Sequence, residues 1–288
     1  MHIRCERYLV VGLAKTGTTV IARTLQHTLQ IPNFCMEPKE LKTIKQAANC
    51  ERLVVKIIFD HWQDRLDDLA RVCGRGSAES PPTVIFVIRD PRDEVISRLH
   101  YFPYSFFSSR PSTAEQRASC IALFERKEAS PETLGLLDMQ EELWRMFESG
   151  FFGLGLLHRR YAEFVQGFVD SSGDNTYLLR YEDFIRRTIP EPYLQAMLAG
   201  EQAVPQQEQR VLRSASSGAW NAFFTDRDTA FYNQYFEAFL LKFGYPLERR
   251  IGAGPPISNT TGSEYVARLI KEACTTFETK ARIKSAAL

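Results

Sequence analysis

The sequence has no C-x-x-C pair and no histidine at zinc-ligand spacing from its six cysteines, Cys5, Cys35, Cys50, Cys73, Cys120 and Cys274. That absence argues against a structural zinc site and against a compact disulfide scaffold. Scattered thiols of this kind suit a reducing compartment. Net charge is nearly absent as well: 36 Lys and Arg against 35 Asp and Glu leave +1. A field so weak does not steer a chain to nucleic acid, so any bound anion must be gripped locally. No run of about 18 apolar residues exists to cross a bilayer. Met1 to Arg7 runs straight into a short apolar segment with no signal-peptide core, so a cytoplasmic location is expected. Without such a leader, the sequon at Asn259-Thr260-Thr261 reads as chance. No cluster of carboxylates stands ready for a metal, and neither repeats nor low-complexity stretches occur.

What is present is ordinary globular composition, 44% hydrophobic and 25% charged over 288 residues, enough for one large α/β domain. Apolar, β-branched runs at Tyr8–Val11, Leu53–Phe59, Thr83–Ile88 and Thr176–Leu179 suit strands buried on both faces of a parallel sheet. Helical patterns lie between them, clearest at Thr18–Leu29 and Asp93–Phe102, and strands alternating with helices indicate an α/β fold. From Arg110 to Asp170 no strand signal appears; Pro111-Ser112 and Ser130-Pro131 read as helix starts, so two or three helices are inserted before the fourth strand. The expected organisation is a domain over residues 1–250, with its helical insertion at about 104–170, then a linker and helix over 251–288. In that last helix Val266, Leu269, Ile270, Ala273 and Phe277 share one face. Packing on its own domain is expected, with a homodimer through this helix as the alternative.

The loop after the first strand, Gly12-Leu13-Ala14-Lys15-Thr16-Gly17-Thr18-Thr19, opens a helix, where backbone N–H groups can wrap a phosphate. Gly12 and Gly17 have the spacing of a Walker A loop, but Thr18 stands in its lysine position and the cation sits three residues earlier, at Lys15. Loss of the lysine that serves the β/γ-phosphates weakens a nucleoside triphosphatase reading. The third run ends in Arg89-Asp90-Pro91-Arg92-Asp93, with Ser97 one turn into the following helix. An arginine at the carboxyl end of a parallel strand lies where open α/β sheets bind ligands.

Together these segments resemble the two nucleotide signatures of the sulfotransferase family, enzymes that use 3′-phosphoadenosine 5′-phosphosulfate (PAPS). The resemblance implies a P-loop NTPase-like fold. It assigns the 5′-phosphosulfate to Lys15, Thr16, Gly17, Thr18 and Thr19, and the 3′-phosphate to Arg89 and Ser97. Leu179-Arg180-Tyr181-Glu182-Asp183-Phe184 is similar to an element beside the adenine. Arg213, with Gly218-Ala219-Trp220 after it, is similar to a late loop whose arginine also grips the 3′-phosphate. Ser214 and Ala215 depart from that loop, standing where the family has a second basic residue and a glycine.

Sulfuryl transfer needs alignment and stabilisation of charge on the leaving 5′-phosphate. Lys15 is the candidate cation, and no metal is expected. The acceptor hydroxyl needs a base. Glu37, in Cys35-Met36-Glu37-Pro38, lies where the carbohydrate branch of the family often places a catalytic glutamate. Pro38 is expected to hold Glu37 extended. Glu40 competes, and so does His61, since the small-molecule branch uses a later histidine. Lys56, mid-strand among Val and Ile, is a candidate support for the sulfuryl oxygens. The aromatic run Tyr101-Phe102-Pro103-Tyr104-Ser105-Phe106-Phe107 reads as core, or as a wall of an acceptor cleft. The expected activity is sulfation of a saccharide hydroxyl. The alternatives are a phenol or lipid sulfotransferase using His61, a P-loop kinase or hydrolase, and a non-catalytic nucleotide binder.

Overall fold

The structure is a computed structural model and describes residues 6–47, 51–71, 81–148, 154–170, 173–201, 204–211, 213 and 216–286. Cys5, Cys50, Cys73, Ser214 and Ala215 lie outside the described residues. In chain order the elements are β1 (Glu6–Gly12), α1 (Thr18–Thr28), β2 (Asn33–Met36), α2 (Leu41–Ala47), β3 (Arg52–Ile58), α3 (Leu66–Ala70), β4 (Thr83–Ile88) and α4 (Pro91–Phe107). There follow α5 (Ala114–Ala129), α6 (Leu136–Phe147), α7 (Leu154–Asp170), β5 (Thr176–Arg180), α8 (Tyr181–Arg186) and α9 (Pro192–Met197). The chain ends with α10 (Trp220–Phe223), α11 (Asp226–Lys242) and α12 (Ser263–Ala286).

The chain divides into two compact units, one of residues 1–89 and 156–207, the other of residues 90–155 and 208–288. The first holds a five-stranded parallel sheet in the order β2-β3-β1-β4-β5. Its three central strands are the apolar runs: Val10, Val11, Val54, Ile57 and Val84 to Val87 have almost no exposed surface. Phe59 and Phe86 pack edge-on or tilted against Phe164 of α7, which covers this part of the core. The sequence pattern missed β2. It is a four-residue edge strand whose residues are half-buried or exposed, so no apolar run announces it. The chain leaves β1 toward β2 on one side and leaves β4 toward β5 on the other. The topological switch point therefore falls between the carboxyl ends of β1 and β4, the crevice in which sheets of this class take ligands.

The second unit is helical. Asp90 caps α4, accepting from Arg92 N–H at 2.9 Å, with Pro91 in the first turn. Arg92 is fully buried, held by both Asp90 oxygens (2.9 and 2.7 Å) and by the Pro246 carbonyl (2.7 Å). Its guanidinium lies 3.6 Å from the centre of the Trp220 ring. Arg92 is thus a structural centre of this unit rather than a ligand contact. The helix at residues 111–112 starts slightly later than expected, with Thr113 as cap in a reciprocal box with Gln116. The start at Ser130-Pro131 is displaced further. Residues 131–134 form a turn whose Pro131 and Leu134 carbonyls are taken by the buried Lys127 ammonium, both at 2.6 Å, and α6 begins only at Leu136. Phe102, Phe106 and Phe107 are core, clustered on Phe147, which removes those three from any acceptor wall. α12 packs on α4 and α5 through Val266, Leu269, Ile270 and Ala273. Among the described residues no helix is long and apolar enough to cross a membrane.

Candidate active site

The carboxyl ends of the strands in the first unit bring together most of the residues singled out by sequence. The Gly12–Thr18 loop leaves β1, Glu37 leaves β2, Asp60 and His61 follow β3, Arg89 follows β4 and Tyr181 follows β5. Close approach dictates the glycines. A Cβ on Gly12 would stand 2.5 Å from Thr18 Cγ2 and 2.6 Å from Thr16 Oγ1. Gly17 is left-handed at φ 86°, and a Cβ there would stand 2.3 Å from two carbons of the Tyr181 ring. Gly17→Ala should therefore cost about 1–3 kcal/mol through backbone strain and displacement of Tyr181. Thermal melts would show a lowered midpoint, and a midpoint unchanged from wild type would contradict this packing.

Lys15 is left-handed too, at φ 70°. Its carbonyl accepts from Arg89 Nη1 at 2.9 Å, and the Arg89 guanidinium lies 4.7 Å from the centre of the Tyr181 ring. Thr16 is buried and spends both its N–H (3.3 Å) and its hydroxyl (2.7 Å) on the Leu13 carbonyl, so it shapes the loop. Thr18 and Thr19 open α1, whose N-terminus has no side-chain cap and no acid in its first turn. First-turn N–H groups lack acceptors within the helix, and the dipole favours an anion there. The loop, the bare helix end and Lys15 together fit a phosphate-like group.

Glu37 corrects one expectation. It is not extended but left-handed, at φ 48°. Its N–H makes the last rung to the Lys56 carbonyl (2.9 Å), and the next carbonyl, that of Pro38, accepts from Trp62 Nε1 at 3.0 Å. These bonds turn the chain off the sheet and override the bias before proline. The Glu37 carboxylate forms an ion pair with the ammonium of Lys56, whose side chain is only 4% exposed. His61 is half-buried; burial foremost, then the nearby Lys39 ammonium, pushes its imidazole below the ordinary value. Near neutrality it is therefore uncharged. Glu40 is exposed at the start of the segment leading to α2.

Sequence reasoning passed over Asp60, which accepts from Ala14 N–H at 2.8 Å. Its only sequence signal was position, at the end of the strand beside the loop.

The remaining named residues lie in the second unit. Ser97 is buried on α4, one turn after Asp93. Asp93 accepts from Gly218 N–H (2.6 Å) and Trp220 N–H (2.9 Å), fastening the late loop to the start of α4 with Gly218 at φ 82°. Arg213 donates weakly to the Thr261 carbonyl (3.4 Å). It lines a cavity of about 270 Å³ with His100, Ser216 and Phe223. Asp93 was another omission, since its role depends on a partner loop far along the chain.

A sulfotransferase domain is matched over residues 6–193. The chain belongs to the sulfotransferase family. As a member it is a PAPS-dependent enzyme. The matched span contains the Lys15 loop, Glu37, Lys56, His61, Arg89 and Tyr181. No curated protein matches the chain. Among solved structures, retinol dehydratase in complex with androsterone and the inactive cofactor PAP aligns at 12% identity. That alignment covers 82% of this chain and 81% of the other, with a TM-score of 0.42. Among the described residues no group of three or more His, Cys, Asp or Glu is placed to hold a metal.

Proposed function

We propose that this sulfotransferase moves the sulfuryl group of PAPS to a saccharide hydroxyl, with Lys15 stabilising the leaving phosphate and Glu37 as base. The observation that carries the proposal is the loop at the switch point. It combines a left-handed lysine, a helix N-terminus without a side-chain cap and glycines that let Thr16, Thr18 and Tyr181 close tightly on the loop backbone. PAPS supplies a sulfuryl group whose leaving group is a phosphate. The acceptor oxygen forms a bond to sulfur as the bridging S–O bond breaks, and the hydroxyl proton passes to the Glu37 carboxylate. Lys15 meets the charge that appears on the bridging oxygen. Without nucleotide, Glu37 neutralises the buried Lys56; an anion at the loop competes for that ammonium and releases the carboxylate to act as a base. The place of Glu37, one helix and a turn beyond the loop lysine, supports a saccharide acceptor by its resemblance to the carbohydrate branch. Arg89, with Ser97, Arg213 and Gly218 of the late loop, is assigned to the 3′-phosphate and Tyr181 to the adenine side on the motif resemblance.

One observation favours a second reading. His61 is uncharged, and its Nδ1 is buried without a hydrogen-bond partner among the described residues, so it is equipped to take a proton. A small-molecule acceptor, a phenol or lipid, would go with that base.

Thermal shift with adenosine 3′,5′-bisphosphate tests the nucleotide assignment, because a ligand bound only by the folded state raises its stability. Protection is expected without metal. Arg89→Ala should weaken bisphosphate binding by about 1.5–3 kcal/mol through lost charge-assisted bonds. Better protection by ATP with Mg²⁺ would show that the loop serves a triphosphate instead.

A further inference from the structure

A carboxylate is electrostatically out of place beside a loop that takes an anion, yet Asp60 stands there. Its Oδ2 accepts from Ala14 N–H at 2.8 Å, and its Oδ1 lies 2.8 Å from Arg160 Nη1 on α7. The pair is largely shielded, with Asp60 12% and Arg160 24% exposed. Ala14 precedes Lys15, whose left-handed backbone is costly for any residue but glycine. Strained backbone persists where the surroundings over-determine it. Arg89 secures the carbonyl of Lys15, and Asp60 secures the Ala14 N–H, in the Leu13–Ala14 peptide one residue upstream. The two anchors bracket the residue, one at its own carbonyl and one at the Leu13–Ala14 peptide, and together restrict the direction in which its side chain leaves the loop. Arg160 acts differently. Its guanidinium cancels the Asp60 charge, so that the anchor does not repel the incoming phosphosulfate.

We propose that Asp60 is a positioning residue that aims Lys15 through the Ala14 amide, with Arg160 as its charge-compensating partner. The proposal rests on the reading of the loop as the phosphosulfate site.

A double-mutant cycle with Lys15 reads it directly. Asp60→Asn keeps an oxygen for Ala14 but turns an amide group toward Arg160. It should lower kcat about ten-fold, the size of one weakened charge-assisted contact. If Asp60 acts through Lys15, adding Asp60→Asn to Lys15→Ala costs little more, within about two-fold. Multiplicative losses would overturn the proposal. Arg160→Gln leaves the carboxylate uncompensated and should weaken bisphosphate binding about three- to ten-fold. Added salt should shrink that effect through screening. Asp60→Asn should bind the bisphosphate as well as wild type or better. Weaker binding in Asp60→Asn than in Arg160→Gln would reverse the expected sign and overturn the charge-compensation role.

Amide hydrogen exchange over residues 12–18 gives a readout independent of turnover. Asp60→Asn should speed exchange at Ala14 by about ten-fold, because the strength of that bond governs local opening. Unchanged exchange would mean that Asp60 does not hold the loop. If wild-type protein neither binds the bisphosphate nor uses PAPS, the functional reading fails, while the exchange arm still decides whether Asp60 is the anchor.

Discussion

Lys15→Ala should lower turnover with PAPS by about 10²–10³ while changing bisphosphate affinity far less, the size of effect seen on losing one oxyanion donor. The anchors of the loop described above are made by other groups. Asp60 takes the Ala14 N–H, Arg89 takes the Lys15 carbonyl, Thr16 bonds the Leu13 carbonyl, and Gly17 packs on Tyr181. Each contact survives in the alanine variant, so its loop keeps its shape and its helix-end donors. What disappears is one positive charge, and it matters most when the bridging oxygen becomes a phosphate oxygen. Single-turnover kinetics and calorimetric binding separate the two effects. An equal loss of affinity with turnover unchanged would make Lys15 a ground-state contact only.

The contrast between Lys15 and Asp60 shows where local sequence is sufficient. The central strands could be read because β1, β3 and β4 are buried on both faces, which demands unbroken apolar runs. The loop and Arg89 could be read because the residues that face a ligand occupy fixed places in a short motif. β2 gave no signal, since an edge strand with exposed residues needs no apolar pattern. Arg92 and Asp93 lie inside the recognised motif, yet their work is structural and depends on Trp220, Pro246 and Gly218, more than a hundred residues away. The backbone of Glu37 went the other way from its local preference. Proline after it favours an extended chain, but the rung to Lys56 and the Trp62 bond to Pro38 impose the left-handed turn. Local propensity yields to tertiary hydrogen bonds where the chain must leave a sheet.

That turn also decides how the base should be tested. Glu37→Gln preserves size and lets the N–H rung to Lys56 stand, but it removes both the proton acceptor and the partner of a buried ammonium. Transfer is expected to fall by about 10²–10⁴, the range for loss of a general base, while bisphosphate binding survives. Affinity should hold or improve, because Lys56 no longer has a carboxylate to leave before meeting an anion. His61→Ala is expected to cost much less. The pH profile separates the two readings further. Burial and Lys39 hold the His61 imidazole below its ordinary value of 6.5. If His61 were the base, activity would be lost only at a pH lower than for an ordinary imidazole, and His61→Ala would abolish activity. With Glu37 as base, His61→Ala leaves both the pH profile and turnover near wild type. A dead histidine variant beside an active glutamine variant would move the chain to the small-molecule branch. A phenol or lipid hydroxyl, presented to an uncharged imidazole, would then replace the saccharide as the acceptor to screen.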